Sequence, residues 1–213
     1  MTGLREYDSA EHALQYLSRA DRIPHRAAGE AVVCELVPRS VRRILDLGAG
    51  DGRLLALLRL DRHASRGVAT DASPTMLDAA RARFAGDALV DVVEHDLDAP
   101  LSTLGGAGSF DAVVSCFAIH HCSHVRKRAL YAEVYALLEP GGVFYNLEHV
   151  ASPTTELHEA FFVALGMTLA YEDQSNQLLD VETQTAWLRE IGFAQVDCFW
   201  KWRELAVFGG SKP

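Results

Sequence analysis

The sequence predicts an α/β protein with a doubly wound sheet of seven strands, mostly parallel, with one antiparallel strand near the C-terminus. Two observations carry this prediction. Between residues 40 and 150, apolar stretches that end near glycine or aspartate alternate with stretches of helical periodicity, which favours parallel pairing through right-handed crossovers. The first apolar stretch also leads into a glycine-rich turn and a leucine-rich helix. The chain of 213 residues is long enough to form one domain with a sizeable core.

The first strand, predicted at residues 42–47, ends in a turn in which glycine occupies every second position. Asp46 lies near the end of this strand, and a helix is predicted at residues 51–60. Glycine permits a positive φ and lets a ligand approach the backbone closely. A dinucleotide-binding turn would need its third glycine at Arg53, so the spacing found is acid-x-G-x-G-x-G. The three glycines are Gly48, Gly50 and Gly52.

The other elements follow from the same alternation of apolar runs and helical spacing. Further strands are predicted at residues 66–71, 89–94, 110–116 and 143–147, and helices from 73, at 123–138, from 152 to about 170, and at 181–191. Pro140 and the two glycines after it are expected to end the long helix. Stretches 195–202 and 205–208 are close enough in sequence to pair as a hairpin.

Composition excludes several classes of function. The formal net charge is −9 and no basic stripe is present, so a nucleic-acid partner is not expected. No run of 18 apolar residues occurs and the N-terminus is polar, so neither a membrane span nor a signal peptide is expected. The four cysteines are scattered, as is typical of free thiols in a cytoplasmic protein.

The acid and glycine spacing resembles the first motif of the class I S-adenosylmethionine-dependent methyltransferases, whose fold is Rossmann-like. This resemblance implies S-adenosyl-L-methionine as cofactor and S-adenosyl-L-homocysteine as product. Asp71 ends the second strand, where an acid can accept both ribose hydroxyls, and Asp96 follows the third strand, where it can meet the adenine amino group. The expected cofactor-binding residues are Asp46, Gly48, Ala49, Gly50, Asp71, Ala72, Met76, Asp96, Leu97, Ser115, Cys116 and Phe117.

The resemblance also assigns roles to the parts of a single domain spanning residues 1–213. Residues 1–39 carry helical spacing at 9–20 and 25–37 and are expected to form lid helices over the cofactor. Residues 40–150 form the cofactor-binding core, and residues 151–213 supply the substrate-side helices and a C-terminal hairpin. One antiparallel strand is expected at the edge of the sheet. Residues expected to face the acceptor are Tyr7, Tyr16, Arg22 and His25.

Two loops after neighbouring strands carry the candidate catalytic groups. His120 and His121 follow the fourth strand, and Glu148 and His149 follow the fifth. A hydroxyl is a poor nucleophile at neutral pH, and a histidine can take its proton while a carboxylate orients the ring. This pattern is similar to that of sugar O-methyltransferases, which implies a small-molecule acceptor with a sugar hydroxyl favoured. We expect one of the three histidines to be the base, with Glu148 holding it or the sugar.

Other interpretations remain open at this stage. His124 extends the histidine pair to His-His-x-x-His, which together with Glu148 offers ligands for a divalent metal; this is not favoured, because adjacent histidines rarely point the same way. The C-terminal third faintly resembles enzymes that make a carboxylated S-adenosylmethionine for tRNA modification. A catalytically silent cofactor-binding scaffold is a third interpretation. The net charge and the aromatic hairpin are compatible with a homodimer.

Overall fold

A computed structural model describes residues 23–213, which form a seven-stranded sheet with helices on both faces. The strands are β1 (Arg43–Leu47), β2 (Arg66–Asp71), β3 (Val90–Glu94), β4 (Phe110–Cys116), β5 (Leu138–His149), β6 (Ala194–Trp202) and β7 (Leu205–Ser211). The helices are α1 (Arg26–Leu36), α2 (Arg53–Arg59), α3 (Pro74–Arg83), α4 (His124–Leu137), α5 (Thr155–Ala164) and α6 (Val181–Ile191). Single 3₁₀ turns lie at Leu101–Thr103, Ile119–His121 and Leu169–Tyr171.

The strand order is β3-β2-β1-β4-β5-β7-β6, which confirms the predicted Rossmann-like, doubly wound sheet. Strands β1 to β5 pair in parallel, and β7 is antiparallel to both of its neighbours. The order reverses between β1 and β4, so the crevice at their carboxyl ends is where such a sheet binds ligands.

The antiparallel strand was expected at the edge of the sheet, and this prediction is wrong. Strand β7 lies between β5 and β6, and β6 forms the edge. Burial explains this arrangement: six consecutive residues of β7 are buried, whereas β6 alternates between exposed and half-buried positions. A continuously apolar strand is stabilised inside the sheet, and an alternating one tolerates an edge.

Two other boundaries differ from the sequence prediction. Strand β5 begins at Leu138, before the predicted break, because the Pro-Gly-Gly segment still pairs with the chain terminus. Gly141 N donates to Lys212 O, and Lys212 N donates to Gly142 O, each at 2.8 Å. Helix α5 ends at Ala164 instead of near residue 170, since Gly166 adopts a left-handed φ of +71° there.

The core has two apolar layers, one on each face of the sheet. One layer joins α4 and α6 to the sheet, and the other joins α1 and α2 to it. Helix α1 therefore packs on the sheet: a Cβ added at Gly29 would meet Leu147 and Trp200. The helix predicted at residues 9–20 lies outside the described residues. Within the part of the chain that is described, no helix has the length and apolar character needed to cross a membrane.

Candidate active site

The turn after β1 forms the floor of a cleft at the carboxyl ends of the strands. Gly48 and Gly50 have φ angles of +63° and +57°, which side chains rarely adopt. A Cβ added at Gly48 would overlap the Cβ of Ala118, so glycine allows the turn to meet the loop after β4. A Cβ added at Gly50 would have no nearer neighbour than Met76 Sδ at 3.9 Å. Gly50 therefore leaves its backbone open to the cleft.

Asp71, at the end of β2, supports this turn. Its Oδ2 accepts a hydrogen bond from Gly50 N, and its Oδ1 accepts one from Ser73 N at the start of α3, both at 2.9 Å. Burial raises the pKa of Asp71 above its ordinary value, although these backbone donors oppose the shift. The carboxylate thus connects the glycine turn to α3 and still lines the cleft.

Asp46 lies beneath the turn and is fully buried. Its Oδ2 accepts a hydrogen bond from Leu55 N at 3.2 Å, which fixes the start of α2 against β1. Burial raises the pKa of Asp46 to about 8. The residue does not line the cleft, so of the two roles the sequence leaves open, orienting the turn or the ligand's amine, the geometry favours the first.

The cleft has about 940 Å³ of free space, counted out to the surrounding solvent. Ten of the expected cofactor-binding residues line it: Gly48, Ala49, Gly50, Asp71, Ala72, Met76, Asp96, Leu97, Cys116 and Phe117. Ser115 does not, because its buried hydroxyl donates to Leu47 O at 2.8 Å and joins the ends of β1 and β4. Residues that the sequence analysis missed also line it: Arg26, Asp51, Leu54, Ser73, His95, Ala118 and Cys122.

Buried polar atoms in the cleft fit an adenosine-bearing ligand such as S-adenosylmethionine. Ser73 Oγ and His95 Nε2 have no hydrogen-bond partner among residues 23–213, and both side chains line the cleft. Burial lowers the pKa of His95, so its ring stays neutral and can serve as donor and acceptor. Unsatisfied buried polar groups are costly and are therefore expected to meet a ligand or water.

Arg26 supplies a positive charge that the sequence analysis did not foresee. It opens α1, is 6% exposed and lines the cleft. Its Nε donates to Glu30 Oε1 at 2.8 Å, and Arg53 Nε donates to the same oxygen at 2.9 Å. The guanidinium carbon of Arg26 lies 5.7 Å from the centre of the Phe117 ring. Such a guanidinium suits a carboxylate ligand, as the amino-acid end of the cofactor would supply.

His120 and Glu148 form a buried pair behind the cleft. His120 Nδ1 lies 2.6 Å from Glu148 Oε1, and Glu148 is fully buried. The remaining contacts of the carboxylate are Asn146 Nδ2 at 3.2 Å and the backbone N of His149 at 2.9 Å. Burial by itself would raise the pKa of Glu148, but the nearby His120 ring and the donors hold it below the ordinary value.

His121 is the candidate catalytic residue that lines the cleft itself. Its ring lies 4.0 Å from that of His120, and its Nδ1 lies 2.9 Å from Ser175 Oγ. Burial lowers the pKa of His121, and the neighbouring His120 ring lowers it further. The imidazole is therefore neutral at physiological pH, with a lone pair on one ring nitrogen.

His149 has a different carboxylate partner from the one the sequence suggested. Its Nε2 lies 2.8 Å from Oε2 of Glu204, which comes from the turn between β6 and β7. Glu204 is fully buried and also contacts His158 Nδ1 at 2.9 Å. Burial lowers the pKa of His149 despite this carboxylate. His149 does not line the cleft, and its ring packs 5.2 Å from that of Phe161.

Of the four residues expected to face the acceptor, His25 lies within the described part of the chain. His25 stacks on Trp202 of the C-terminal hairpin, with ring centres 4.0 Å apart, and does not line the cleft. Tyr7, Tyr16 and Arg22 lie outside the described residues. His124 is directed at Leu178 O, 3.2 Å from its Nε2. Across residues 23–213, no group of three or more histidine, cysteine or acidic side chains is arranged to hold a metal ion.

The functional residues that were not predicted differ in how clearly the sequence could have indicated them. Ser73 and His95 lie beside the predicted Asp71 and Asp96, so the carboxyl ends of β2 and β3 could have indicated them. Arg26 opens α1, whereas His25 precedes the helix with a left-handed φ of +64°, and no local pattern indicates which of the two faces the cleft. No local pattern indicates Ser175, because its contact with His121 spans 54 residues of sequence.

The chain is similar to known methyltransferases. Residues 44–142 match a family model described as a methyltransferase domain. The chain is 32% identical over 178 residues to a demethylmenaquinone methyltransferase from Clavibacter sepedonicus, covering 76% of this chain and 69% of the relative. It is 28% identical over 208 residues to a ubiquinone/menaquinone biosynthesis C-methyltransferase from Dinoroseobacter shibae, covering 87% and 77%.

Among solved structures, the fold is similar to that of human N-acetylserotonin methyltransferase in complex with S-adenosylmethionine. The TM-score is 0.71 at 16% sequence identity, and the match covers 97% of this chain. This chain spans 57% of that solved chain, so the likeness concerns the fold.

Proposed function

The chain belongs to the S-adenosylmethionine-dependent methyltransferases, and we propose that it transfers the methyl group to a small hydroxylated molecule, with a hydroxylated aromatic ring as the favoured acceptor. The observation that carries this proposal is the presence of His121 in the same cleft as the glycine turn. A proton acceptor and the expected cofactor cradle thus share one cleft. General-base assistance in such a site is worth roughly 10²–10⁴-fold in rate.

The residues present would hold the cofactor in the following way. The open backbone of Gly50 and the carboxylate of Asp71 would meet the central part of the ligand, and Asp96 with His95 would meet the adenine. Arg26 would pair with the amino-acid carboxylate. Bound S-adenosylmethionine supplies an already activated methyl group on a sulfonium sulfur. The protein therefore has two tasks: to align the acceptor oxygen or carbon with that methyl group, and to remove a proton.

The basicity of His121 favours an aromatic hydroxyl over a sugar hydroxyl. Its pKa is lowered by burial, which makes the ring a weak base. Transfer to a weak base is least costly from an acidic hydroxyl, and the phenol of tyrosine, with a pKa near ~10, is far more acidic than an alcohol. Deprotonating an aromatic hydroxyl activates both its oxygen and the adjacent ring carbons, so the same base supports O- or C-methylation.

The walls of the cleft support the same acceptor class. Beside His121, Ala118 and Cys122 line the cleft and are not among the expected cofactor-binding residues. These side chains suit a flat apolar ring better than a sugar, whose hydroxyls need several polar partners. The relatives from Clavibacter sepedonicus and Dinoroseobacter shibae are named for demethylmenaquinone methylation and for ubiquinone and menaquinone biosynthesis, which favours acceptors of this kind for those proteins. A sugar hydroxyl, as expected from the sequence, is the second acceptor to be tested.

A labelled-methyl assay tests the proposal. The protein is incubated with S-adenosylmethionine carrying a labelled methyl group and, separately, a naphthohydroquinone, a simple phenol, a nucleotide-activated sugar and total tRNA. We expect label in the aromatic acceptors. Label in the sugar or tRNA alone would refute the aromatic acceptor class, and label in none of these, nor in a small-molecule cell extract, would favour a silent cofactor-binding protein.

His121→Gln tests the base. The variant should lower kcat by about 100-fold, within the range for loss of a general base. Its affinity for S-adenosylhomocysteine should stay within about twofold, because a lost base does not remove cofactor contacts. His124→Gln is the matched control, since His124 is exposed and contacts only a backbone carbonyl among the described residues. A near-normal kcat in His121→Gln would leave alignment as the source of the rate.

A further inference from the structure

A short segment far along the chain reaches back to the ring of His121. Ser175 Oγ lies 2.9 Å from His121 Nδ1 and 2.7 Å from Asp173 Oδ1. The backbone N of Ser175 also donates to Asp173 Oδ1 at 2.8 Å. A carboxylate, a hydroxyl and an imidazole are therefore connected by successive contacts, and the imidazole lines the cleft.

The hydrogen count of this chain of contacts fixes the direction of each bond. A serine hydroxyl has one hydrogen, and an ionised carboxylate can only accept. The Ser175 hydrogen therefore goes to Asp173, and Ser175 Oγ accepts the N–H of His121 Nδ1; the backbone of Ser175 is also hydrogen-bonded to the His121 ring and favours its N–H form. A neutral imidazole carries one N–H, so the lone pair of His121 is on Nε2.

We propose that Ser175 and Asp173 are positioning residues that hold His121 in the tautomer with its proton on Nδ1, so that Nε2 takes the proton of the acceptor hydroxyl. The proposal deepens, and rests on, the proposed function. In the proton step, the acceptor O–H bond breaks and an N–H bond forms at Nε2. The resulting imidazolium keeps its Nδ1 proton on Ser175, and the negative charge of Asp173 stabilises it.

The relay, meaning the contacts from Asp173 through Ser175 to His121, lies on a segment that is fixed to the loop after β4. The buried ammonium of Lys127 donates to His120 O at 3.1 Å and to Gln177 O at 2.7 Å. Gln177 N donates to the same His120 carbonyl at 2.8 Å. These bonds join the segment of Ser175 to the loop of His121 on both sides of their contact. A preorganised base of this kind needs little rearrangement during the reaction.

The neighbouring histidine is placed differently. His120 Nδ1 faces the buried Glu148, and the ring lies behind His121, outside the lining of the cleft. The titratable groups that act on His121 are His120, Asp173 and Lys127. Asp173 raises the pKa of His121, whereas the other two lower it. Removing the Asp173 charge should therefore make the base weaker.

Nitrogen NMR tests the relay without any acceptor. In protein labelled with ¹⁵N at histidine, with the signal assigned by its loss in His121→Gln, Nδ1 should show the shift of a protonated nitrogen and Nε2 that of a lone-pair nitrogen. In Ser175→Ala both shifts should move toward the average of the two tautomers. A wild-type Nε2–H signal, or shifts unchanged in Ser175→Ala, would overturn the proposal whatever the acceptor is.

Kinetics with the acceptor found in the labelled-methyl assay provide the second measurement. Ser175→Ala should lower kcat about tenfold, as expected for one lost hydrogen bond to the base, with KM within about twofold. Ser175→Thr keeps the hydroxyl and should restore most of the rate. Asp173→Asn should lower kcat in the same direction as Ser175→Ala, because the charge that stabilises the imidazolium is lost. Gln174→Ala, an exposed neighbour whose amide contacts Glu172 O, is the control and should match wild type.

Each outcome separates the relay from the proposed function. Equal kcat in Ser175→Ala and Gln174→Ala would overturn the relay and leave the methyl transfer intact. If neither the small-molecule acceptors nor the small-molecule cell extract takes the label, the proposed function fails, and the nitrogen shifts still decide whether Ser175 and Asp173 set the tautomer of His121. Binding of S-adenosylhomocysteine should be unchanged in all these variants, which confirms that each retains its fold.

Discussion

Gly48→Ala is expected to destabilise the protein through two separable effects. The first is the left-handed φ of +63°, which costs about 1–2 kcal/mol for a residue with a Cβ. The second is steric, because the new Cβ would lie closer than 3.0 Å to the Cβ of Ala118, whose backbone carries the loop that bears the histidines. Overpacking of this kind costs about 1–3 kcal/mol. The free energy of unfolding should therefore fall by roughly 2–5 kcal/mol.

Gly86→Ala separates the two effects. Gly86 has a φ of +83°, and a Cβ added there would meet no atom within 4 Å, so this variant carries the backbone cost alone. Urea unfolding of both variants should place Gly48→Ala about 1–3 kcal/mol below Gly86→Ala. The double variant Gly48→Ala/Ala118→Gly should recover most of that difference. Equal stability of the two single variants would refute the steric part of the reasoning.

Two further predictions concern charge. Asp71→Asn should weaken S-adenosylhomocysteine binding at least about tenfold in calorimetry, because charge-assisted hydrogen bonds are worth about 1.5–3 kcal/mol each. Asp78→Asn, on an exposed face of α3, is the control and should leave the affinity unchanged. Equal affinities of the two variants would exclude Asp71 as the ribose acid. Glu204→Gln should cost stability mainly between about pH 4.5 and 6.5. Burial would raise the pKa of Glu204, but its histidine partners hold it below the ordinary value, so the charged Glu204 stabilises the fold above about pH 4.5 and this contribution is lost as the pH falls through the lowered pKa. The pKa of His158 is raised, so the charged His158 stabilises the fold below about pH 6.5 and this contribution is lost as the pH rises through the raised pKa. A stability difference from wild type that is independent of pH in urea unfolding would contradict the pairing of Glu204 with His158.

The cofactor half of the cleft could be predicted from the sequence because its signals are local. Glycines at every second position after an apolar strand, and acids at the ends of the next strands, need no knowledge of distant residues. Parallel pairing then brings those strand ends to one edge. Ten of the twelve expected cofactor residues line the cleft, and the two others, Asp46 and Ser115, lie directly beneath it. Whether a side chain points into the cleft or into the core is set by the pleat of its strand and by the packing of the core.

The acceptor half could not be assigned from the sequence in the same way. Two adjacent histidines have nearly the same local context, yet His120 turns to a buried carboxylate and His121 turns to the cleft. Glu148 and His149 are also adjacent, but side chains alternate along a strand, so they face different environments. The carboxylate that holds His149 comes from Glu204, 55 residues later.

The sequence by itself thus determined the fold, the cofactor turn and the set of histidines from which a base can come, because periodicity and glycine spacing act over short distances. The tertiary structure decided that β7 lies inside the sheet, that Arg26 and not His25 reaches the cleft, and that Ser175 meets His121. These contacts join segments that have no periodic pattern in common. Their partners are chosen by which loops the packed sheet brings together, and that choice exists only once the chain has folded.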